Sequence, residues 1–205
     1  MTNYREQYVA DYFADQERAM KEGAAELQRR VPEIVDVLCR ARDAGKRIYV
    51  MGNGGSASTA SHFVNDLNKL TAHPGFKRMK MVALTDNVPT MLAWANDASY
   101  DVIFEEQLKT YLEPGDVALG FSGSGNSPNV VRALEYANQH GGHTVAIVGH
   151  GGGKMSKIAR TVAVVPSYNM QRCEDLHHMV MHLICSIIRD EQDGGKAYPV
   201  DLRRR

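Results

Sequence analysis

The chain has 205 residues, and its 24 lysines and arginines balance its 24 aspartates and glutamates. This length suits one α/β domain with a sizeable core, and the balanced charge does not favour nucleic-acid binding. The cysteines, Cys39, Cys173 and Cys185, lack CxxC spacing and are typical of reduced thiols. No apolar run is long enough to span a bilayer, and the N-terminus has no signal segment. We therefore expect a cytoplasmic protein that binds neither nucleic acid nor a membrane.

Residues 4–44 have the apolar spacing of helices. The pattern predicts two amphipathic helices, "YREQYVADYFADQERAM" and "AAELQRRVPEIVDVLCRARDAG", with "KEG" between them. Gly45 is the expected stop of the second helix. The two helices precede the first strand and have no sheet of their own to cover. Residues 1–45 are therefore predicted to form a helical pair that packs against another copy of the chain.

Apolar, β-rich runs and helical segments alternate through the rest of the chain. The predicted strands are 47–52, 79–85, 116–122, 143–149 and 161–167, and the main predicted helices are 57–70, 101–112, 127–140 and 171–190. Continuously apolar strands separated by helices are typical of a parallel sheet covered on both faces. We therefore predict an α/β domain with a five-stranded parallel sheet over residues 46–191, followed by a polar tail over 192–205.

Two loops rich in glycine and serine each follow a predicted strand and open a helix. They read "GNGGSAS" from residue 52 and "FSGSGNS" from residue 121. Helix N-termini attract phosphate, serine adds hydroxyl donors, and glycine lets the backbone approach a ligand closely. Neither loop carries a nucleotide-binding motif, so the pair predicts a site for a small monophosphate. The alternative is that both are plain strand-to-helix turns with serine caps.

Two of the predicted helices carry acids and histidines at four-residue intervals. His62 and Asp66 share one helix face, and Glu174, His178 and His182 share a face of the last helix. Such a set suits a divalent metal such as zinc, or acid–base chemistry near neutral pH. On the first helix alone, the spacing favours a solvent-exposed His–Asp pair over a functional one.

Several stretches resemble the sugar isomerase (SIS) domain family, and within it the phosphoheptose isomerases. They are "GNGGSASTASHF", "LTDN", "ANDASYDVIFEEQL", "GDVALGFSGSGNSPNVVRALEYA" and "EDLHHMVMH". The resemblance implies a single SIS domain with a flavodoxin-like arrangement. It also implies conversion of sedoheptulose 7-phosphate to D-glycero-D-manno-heptose 7-phosphate, and a homotetramer with active sites formed between subunits.

The resemblance also assigns roles to individual residues. It makes Asp66 the general base and His182 the acid–base partner. A zinc or other divalent ion would be held by His62, Asp66, Glu174 and His182. The substrate, through its phosphate and hydroxyls, would be bound by Asn53, Gly54, Gly55, Ser56, Asp97, Ser122, Gly123, Ser124, Asn126 and Ser127.

Some positions depart from the family pattern. Asp66 stands where the family has glutamate, Glu174 replaces a glutamine, and Gly123 replaces a threonine. An isomerase of a different sugar phosphate therefore stays open. So do a non-catalytic module similar to the DnaA-associating initiation factor and a regulator that senses a sugar phosphate. Retention of an acid at 66 and of His182 favours an enzyme.

Overall fold

The computed structural model describes residues 3–195, so most of the predicted polar tail lies outside the described residues. Five strands form one parallel sheet in the order β2-β1-β3-β4-β5. They are β1 (Arg47–Met51), β2 (Lys80–Ala83), β3 (Val117–Ser122), β4 (His143–Val148) and β5 (Thr161–Val164). The prediction of a five-stranded parallel sheet is confirmed, and each strand lies within a predicted apolar run.

Helices follow the strands on both faces. They are α1 (Tyr4–Asp43), α2 (Gly55–Leu70), α3 (Val88–Asp97), α4 (Glu105–Tyr111), α5 (Pro128–Gln139), α6 (Met155–Ile158) and α7 (Met170–Gln192), with a 3₁₀ turn at Tyr100–Val102. The sequence patterns located α2, α4, α5 and α7, whereas α3 and the short α6 were not predicted. None of the helices within residues 3–195 combines the length and apolar character needed to cross a membrane.

The prediction of two separate helices at the N-terminus is wrong, because Tyr4–Asp43 forms a single helix of 40 residues. Gly23 lies between the two predicted segments, and glycine inside a helix costs about 1 kcal/mol relative to alanine. In the structure Gly23 is buried, and a Cβ there would lie 2.9 Å from Cδ of Pro166. The close approach of the segment after β5 requires glycine at this position, and α1 continues through it.

The sheet separates two apolar layers. On one face, α1, α2 and α7 pack together over strand side chains such as Ile48, Leu119 and Ile147. On the other face, α4, α5 and α6 cover side chains such as Tyr49 and Ala118. Burial of apolar area on both faces, at about 25 cal/mol per Å², is the main stabilising contribution to such a fold.

The strand order places the two serine loops together. The sheet grows in opposite directions from β1 and β3, and the helices that follow these adjacent strands, α2 and α5, lie on opposite faces. A crevice forms at such a switch point, beyond the carboxyl ends of the strands. The loops after Met51 and Ser122 border this crevice.

Candidate active site

The loop between β3 and α5 gathers serine hydroxyls at one point. Ser122 Oγ lies 3.5 Å from Ser124 Oγ and 3.1 Å from Ser127 Oγ. Ser127 is the N-cap residue of α5, but its side chain makes no cap hydrogen bond. The hydroxyls therefore face one another at a helix N-terminus, where backbone N–H groups lack intrahelical partners. This arrangement suits an anion such as phosphate.

The shape of this loop is set by a glycine-rich segment after β4. Gly125 has φ +62°, and a Cβ there would overlap the carbonyl oxygen of Gly152. The backbone N–H of Met155 donates to the Gly125 carbonyl at 2.9 Å, and that of Lys154 donates to Asn126 Oδ1 at 3.0 Å. Asn126 thus acts in the structure mainly as a link between two loops.

The loop between β1 and α2 is tied to α5 by an amide pair. Asn53 Nδ2 donates to Asn129 Oδ1 at 2.9 Å, and Asn129 Nδ2 donates back to Asn53 Oδ1 at 2.9 Å. The Tyr100 hydroxyl also donates to Asn53 Oδ1, at 3.0 Å. Asn129 and Tyr100 were missed by the sequence reasoning. The signal available for Asn129 was an asparagine directly after Pro128, at the start of a predicted helix, and the structure shows that it is buried.

Helices α2 and α7 pack together and carry facing residues at three successive levels. At the first level, Gly55 meets the Glu174 carboxylate so closely that a Cβ on Gly55 would overlap it. At the second, Thr59 Oγ1 lies 3.2 Å from His178 Nδ1. The third level is formed by Asp66 and His182. Four residues of helix rise by about 6 Å, so the levels on α7 are evenly spaced.

At the third level, Asp66 lies between two imidazoles. Its Oδ2 is 3.5 Å from His62 Nε2 and 3.6 Å from His182 Nε2. The side chain of Asp66 is only 14% exposed, whereas those of His62 and His182 are 41% and 51% exposed. The acid is therefore held in place while both imidazoles remain accessible to a ligand.

These side chains fit a divalent metal. One donor atom from each of His62, Asp66 and His182 lies within 4.8 Å of the others. Tetrahedral zinc with bonds of about 2.0–2.1 Å separates its ligand atoms by roughly 3.4 Å. The observed carboxylate–imidazole distances of 3.5 and 3.6 Å match that spacing. Two nitrogens and one oxygen would also leave a fourth position open for substrate or water.

Two predicted site residues lie apart from this cluster. Glu174 is not among the clustered donors, because its position two helical turns from His182 places its carboxylate against Gly55. Its assignment as a metal ligand is not supported by this geometry. Asp97 is the last residue of the exposed helix α3 and accepts a hydrogen bond from Asn96 Nδ2 at 2.7 Å. Within residues 3–195, no hydrogen bond or ion pair joins Asp97 to the serine loops or to the cluster.

The remaining predicted residues line the first levels of the crevice. Gly54 has φ +54° and is the N-cap residue of α2, and Ser56 is buried in its first turn. A Cβ on Gly123 would lie 2.5 Å from Met170 Sδ, so the second serine loop touches the first turn of α7. Both loops therefore border the end of α7 that carries Glu174.

The electrostatic environment of His182 favours its neutral form, because it lowers the pKa of the imidazole. Partial burial lowers the pKa of His182, the neighbouring His62 and His178 lower it further, and Asp66 opposes the shift. A neutral imidazole can both accept and donate a proton, as acid–base chemistry requires. His177 is different, since it is fully buried and burial lowers its pKa to about 4.

Comparisons with known proteins agree with this architecture. The family model described as "SIS domain" matches residues 11–149. A probable phosphoheptose isomerase of Thermoplasma acidophilum is 37% identical over 183 residues, which cover 86% of this chain and 99% of the relative. The phosphoheptose isomerase of Aquifex aeolicus is 34% identical over 165 residues, covering 79% of this chain and 84% of that protein.

Solved structures give the same result. The phosphoheptose isomerase GmhA of Neisseria gonorrhoeae superposes with a TM-score of 0.83 at 29% identity, covering 89% of this chain and 97% of that chain. A phosphoheptose isomerase from Francisella tularensis also has a TM-score of 0.83, at 26% identity, covering 92% of this chain and 98% of that chain. The fold, the paired serine loops and the sequence similarity lead to one conclusion: the chain belongs to the SIS domain family, and its relatives there include the phosphoheptose isomerases.

Proposed function

We propose that this chain is an aldose–ketose isomerase that interconverts sedoheptulose 7-phosphate and D-glycero-D-manno-heptose 7-phosphate. The observation that carries the proposal is the pairing of Asp66 with His182 on the packed helices α2 and α7, whose N-terminal ends border the serine loops. The relatives named phosphoheptose isomerase, with identities of 34% and 37%, support the same reaction.

The phosphate of the substrate binds at the loop between β3 and α5. The hydroxyls of Ser122, Ser124 and Ser127 converge there, and the N-terminus of α5 adds its positive dipole. The N-terminus of α2 contributes less than its sequence suggested, because the Glu174 carboxylate already lies against Gly55. The second serine loop is therefore the main phosphate site.

Isomerisation proceeds through an enediol. Asp66 removes the proton from the carbon next to the carbonyl and returns it to the neighbouring carbon. His182, in its neutral form, donates a proton to one oxygen and accepts one from the other, so no net proton is lost. Because Asp66 is largely buried between two imidazoles, its carboxylate is oriented before the substrate arrives.

A zinc or similar divalent ion would be held by His62, Asp66 and His182, the three residues whose donor atoms cluster. When bound, such an ion supplies Lewis-acid polarisation of the substrate carbonyl. Because a metal-bound Nε2 cannot also accept a proton, proton transfer by His182 belongs to the metal-free site. With an ion bound, His62 and His182 would serve as its ligands, Asp66 would keep its second carboxylate oxygen for the substrate proton, and the serine loop would still fix the phosphate.

The active enzyme is a homotetramer in the cytoplasm. Large apolar side chains remain exposed along the first half of α1, where Tyr4 is 77% and Phe13 is 68% exposed, and on α3, where Leu92 is 63% exposed. Apolar patches of this kind mark surfaces that associate. The free thiols Cys39, Cys173 and Cys185 support a reducing compartment.

A coupled assay with sedoheptulose 7-phosphate tests the proposal directly. Wild-type protein should produce the aldose phosphate, and His182→Ala should abolish turnover while its circular dichroism and oligomeric mass stay unchanged. A wild-type protein that is inactive on heptulose, hexulose and octulose phosphates would refute the enzymatic function. Activity on one of the other sugars alone would keep the reaction class and replace the substrate.

A further inference from the structure

His178 is a third histidine beside the candidate catalytic cluster. Its ring centroid lies 5.7 Å from that of His62 and 6.3 Å from that of His182. It is half-buried, yet it is not one of the residues whose donor atoms cluster closely enough to share a metal. Its role must therefore be sought elsewhere than in the proposed metal site.

The hydrogen-bond partners of His178 indicate which of its two ring nitrogens carries the hydrogen. Thr59 Oγ1 donates its one hydrogen to the Gly55 carbonyl at 3.1 Å. At the 3.2 Å contact with His178 Nδ1, the same Oγ1 must therefore accept. The Glu174 carbonyl, which can only accept, lies 3.3 Å from the same nitrogen. Both contacts require a hydrogen on Nδ1.

The opposite nitrogen is consequently left with a free lone pair. A neutral imidazole protonated on Nδ1 is an acceptor at Nε2. Within residues 3–195, Nε2 of His178 has no hydrogen-bond partner, although the ring is clamped by Thr59 and Glu174. A fixed, partly desolvated acceptor beside a binding site is a typical specificity element for a hydroxylated ligand.

The position of His178 indicates which part of a ligand it meets. Along α7, it lies about 6 Å from Glu174, which is beside the serine loops. In the other direction it lies about 6 Å from His182, which is beside the proposed base Asp66. A sugar phosphate with its phosphate at the loops and its carbonyl at Asp66 would place middle carbons at this level. We propose that His178 Nε2 accepts a hydrogen bond from a hydroxyl on the middle of the sugar chain, and so determines specificity.

This inference rests on the proposed function, since it needs a sugar phosphate bound between the serine loops and Asp66. Loss of one such hydrogen bond should weaken binding about fivefold to tenfold. The phosphate itself is held elsewhere, so binding of inorganic phosphate should not change. This difference between the two ligands separates a substrate contact from a purely structural role.

The decisive variant is His178→Asn, whose amide nitrogen can still donate to Thr59 Oγ1 and the Glu174 carbonyl but which lacks the outer acceptor. The matched control is His140→Asn, because His140 Nδ1 also contacts the carbonyl four residues earlier, that of Tyr136 at 2.8 Å, but does so on the exposed end of α5. Isothermal titration calorimetry would measure the affinity of each protein for sedoheptulose 7-phosphate and for inorganic phosphate.

We expect His178→Asn to bind the sugar phosphate more weakly and inorganic phosphate as tightly as wild type does. His140→Asn should bind both ligands like wild type. Thr59→Val is a second test, because it removes one of the two contacts that hold the His178 ring, and it should also weaken binding of the sugar phosphate, by a smaller factor. Equal affinities of wild type and His178→Asn, or equal weakening of both ligands, would overturn the inference while leaving the proposed function intact. A wild-type protein that binds only inorganic phosphate would overturn the proposed function, and this inference with it.

Discussion

Asp66 Oδ2 lies 3.6 Å from Nε2 of His182, although the two residues belong to helices at opposite ends of the α/β domain's sequence. This contact links the proposed base to the proposed proton carrier. We expect Asp66→Asn, which keeps the shape and removes the charge, to lower kcat by about 10²–10⁴-fold. Steady-state kinetics on sedoheptulose 7-phosphate measures the effect.

Asp193→Asn is the matched control for this variant. Asp193 also pairs with a histidine, His73, at 3.3 Å, outside the candidate site. Its kcat should remain within about twofold of wild type. If both variants lose activity equally, the loss reflects general destabilisation and not catalysis by Asp66.

The serines of the second loop should separate into binding and structural roles. Ser122 Oγ is buried and accepts a hydrogen bond from the Gly125 N–H at 3.1 Å, whereas Ser124 Oγ is exposed and accepts one from the Asn126 N–H at 3.2 Å. Because water can replace the exposed hydrogen bond, Ser124→Ala should raise KM about tenfold and change Tm little. Ser122→Ala should raise KM and also lower Tm, because it leaves a buried N–H with a weaker partner. Kinetics combined with thermal unfolding distinguishes the two, and identical Tm changes would contradict this division.

The metal proposal predicts a defined stoichiometry. Metal-free protein titrated with Zn²⁺ should bind about one ion per chain, and His62→Ala should weaken binding by tenfold or more, because one of three ligands is lost. His73→Ala provides the control, since His73 belongs to the separate pair with Asp193. Isothermal titration calorimetry measures both values. Unchanged zinc affinity in His62→Ala would remove this residue from the metal site.

Burial of His177 should make the fold acid-sensitive. Its pKa is about 4 in the folded chain, because burial disfavours the charged imidazole, and about 6.5 when unfolded. The unfolded state therefore binds the proton first, and stability is lost as the pH falls from about 6.5 towards 4. Between pH 7.5 and pH 5 this residue should lower the free energy of unfolding by about 2 kcal/mol. Urea unfolding at both pH values measures this effect. In His177→Leu, the decrease in the free energy of unfolding between pH 7.5 and pH 5 should be smaller than in wild type by about 2 kcal/mol.

Association should depend on the exposed apolar side chains. Phe13→Asp on α1 and Leu92→Glu on α3 should each shift the protein from tetramer to smaller species, because a charge would be buried at the interface. Sedimentation velocity measures this shift. The control variant is Tyr111→Asp, at the exposed end of α4, where the side chain is 52% accessible. It should sediment like wild type. A wild-type protein that sediments as a monomer would refute the tetramer.

The sequence was sufficient for the parts of the molecule that repeat a simple pattern. Apolar runs located all five strands, and glycine and serine after two of them located the crevice, because a parallel sheet brings such loops to one edge. The four-residue spacing of His62 and Asp66 placed them on one face, and the structure brings His182 to them.

The remaining features depend on contacts between distant segments. The reason for glycine at position 23, the approach of Pro166, lies in a segment far along the chain. The helical spacing predicts that Glu174 shares a metal site with His182, but the Glu174 carboxylate lies against Gly55 instead. The amide pair of Asn53 and Asn129 joins two loops, and no local pattern encodes such a partner.

The three levels between α2 and α7 have a consequence for substrate length. On α7 the three levels lie four residues, or about 6 Å, apart, so Glu174 beside the serine loops and His182 beside Asp66 are separated by about 12 Å along the helix. This separation sets the length of ligand that can reach both the serine loops and Asp66. A sugar phosphate with too few carbons would leave its carbonyl short of Asp66 when its phosphate is bound.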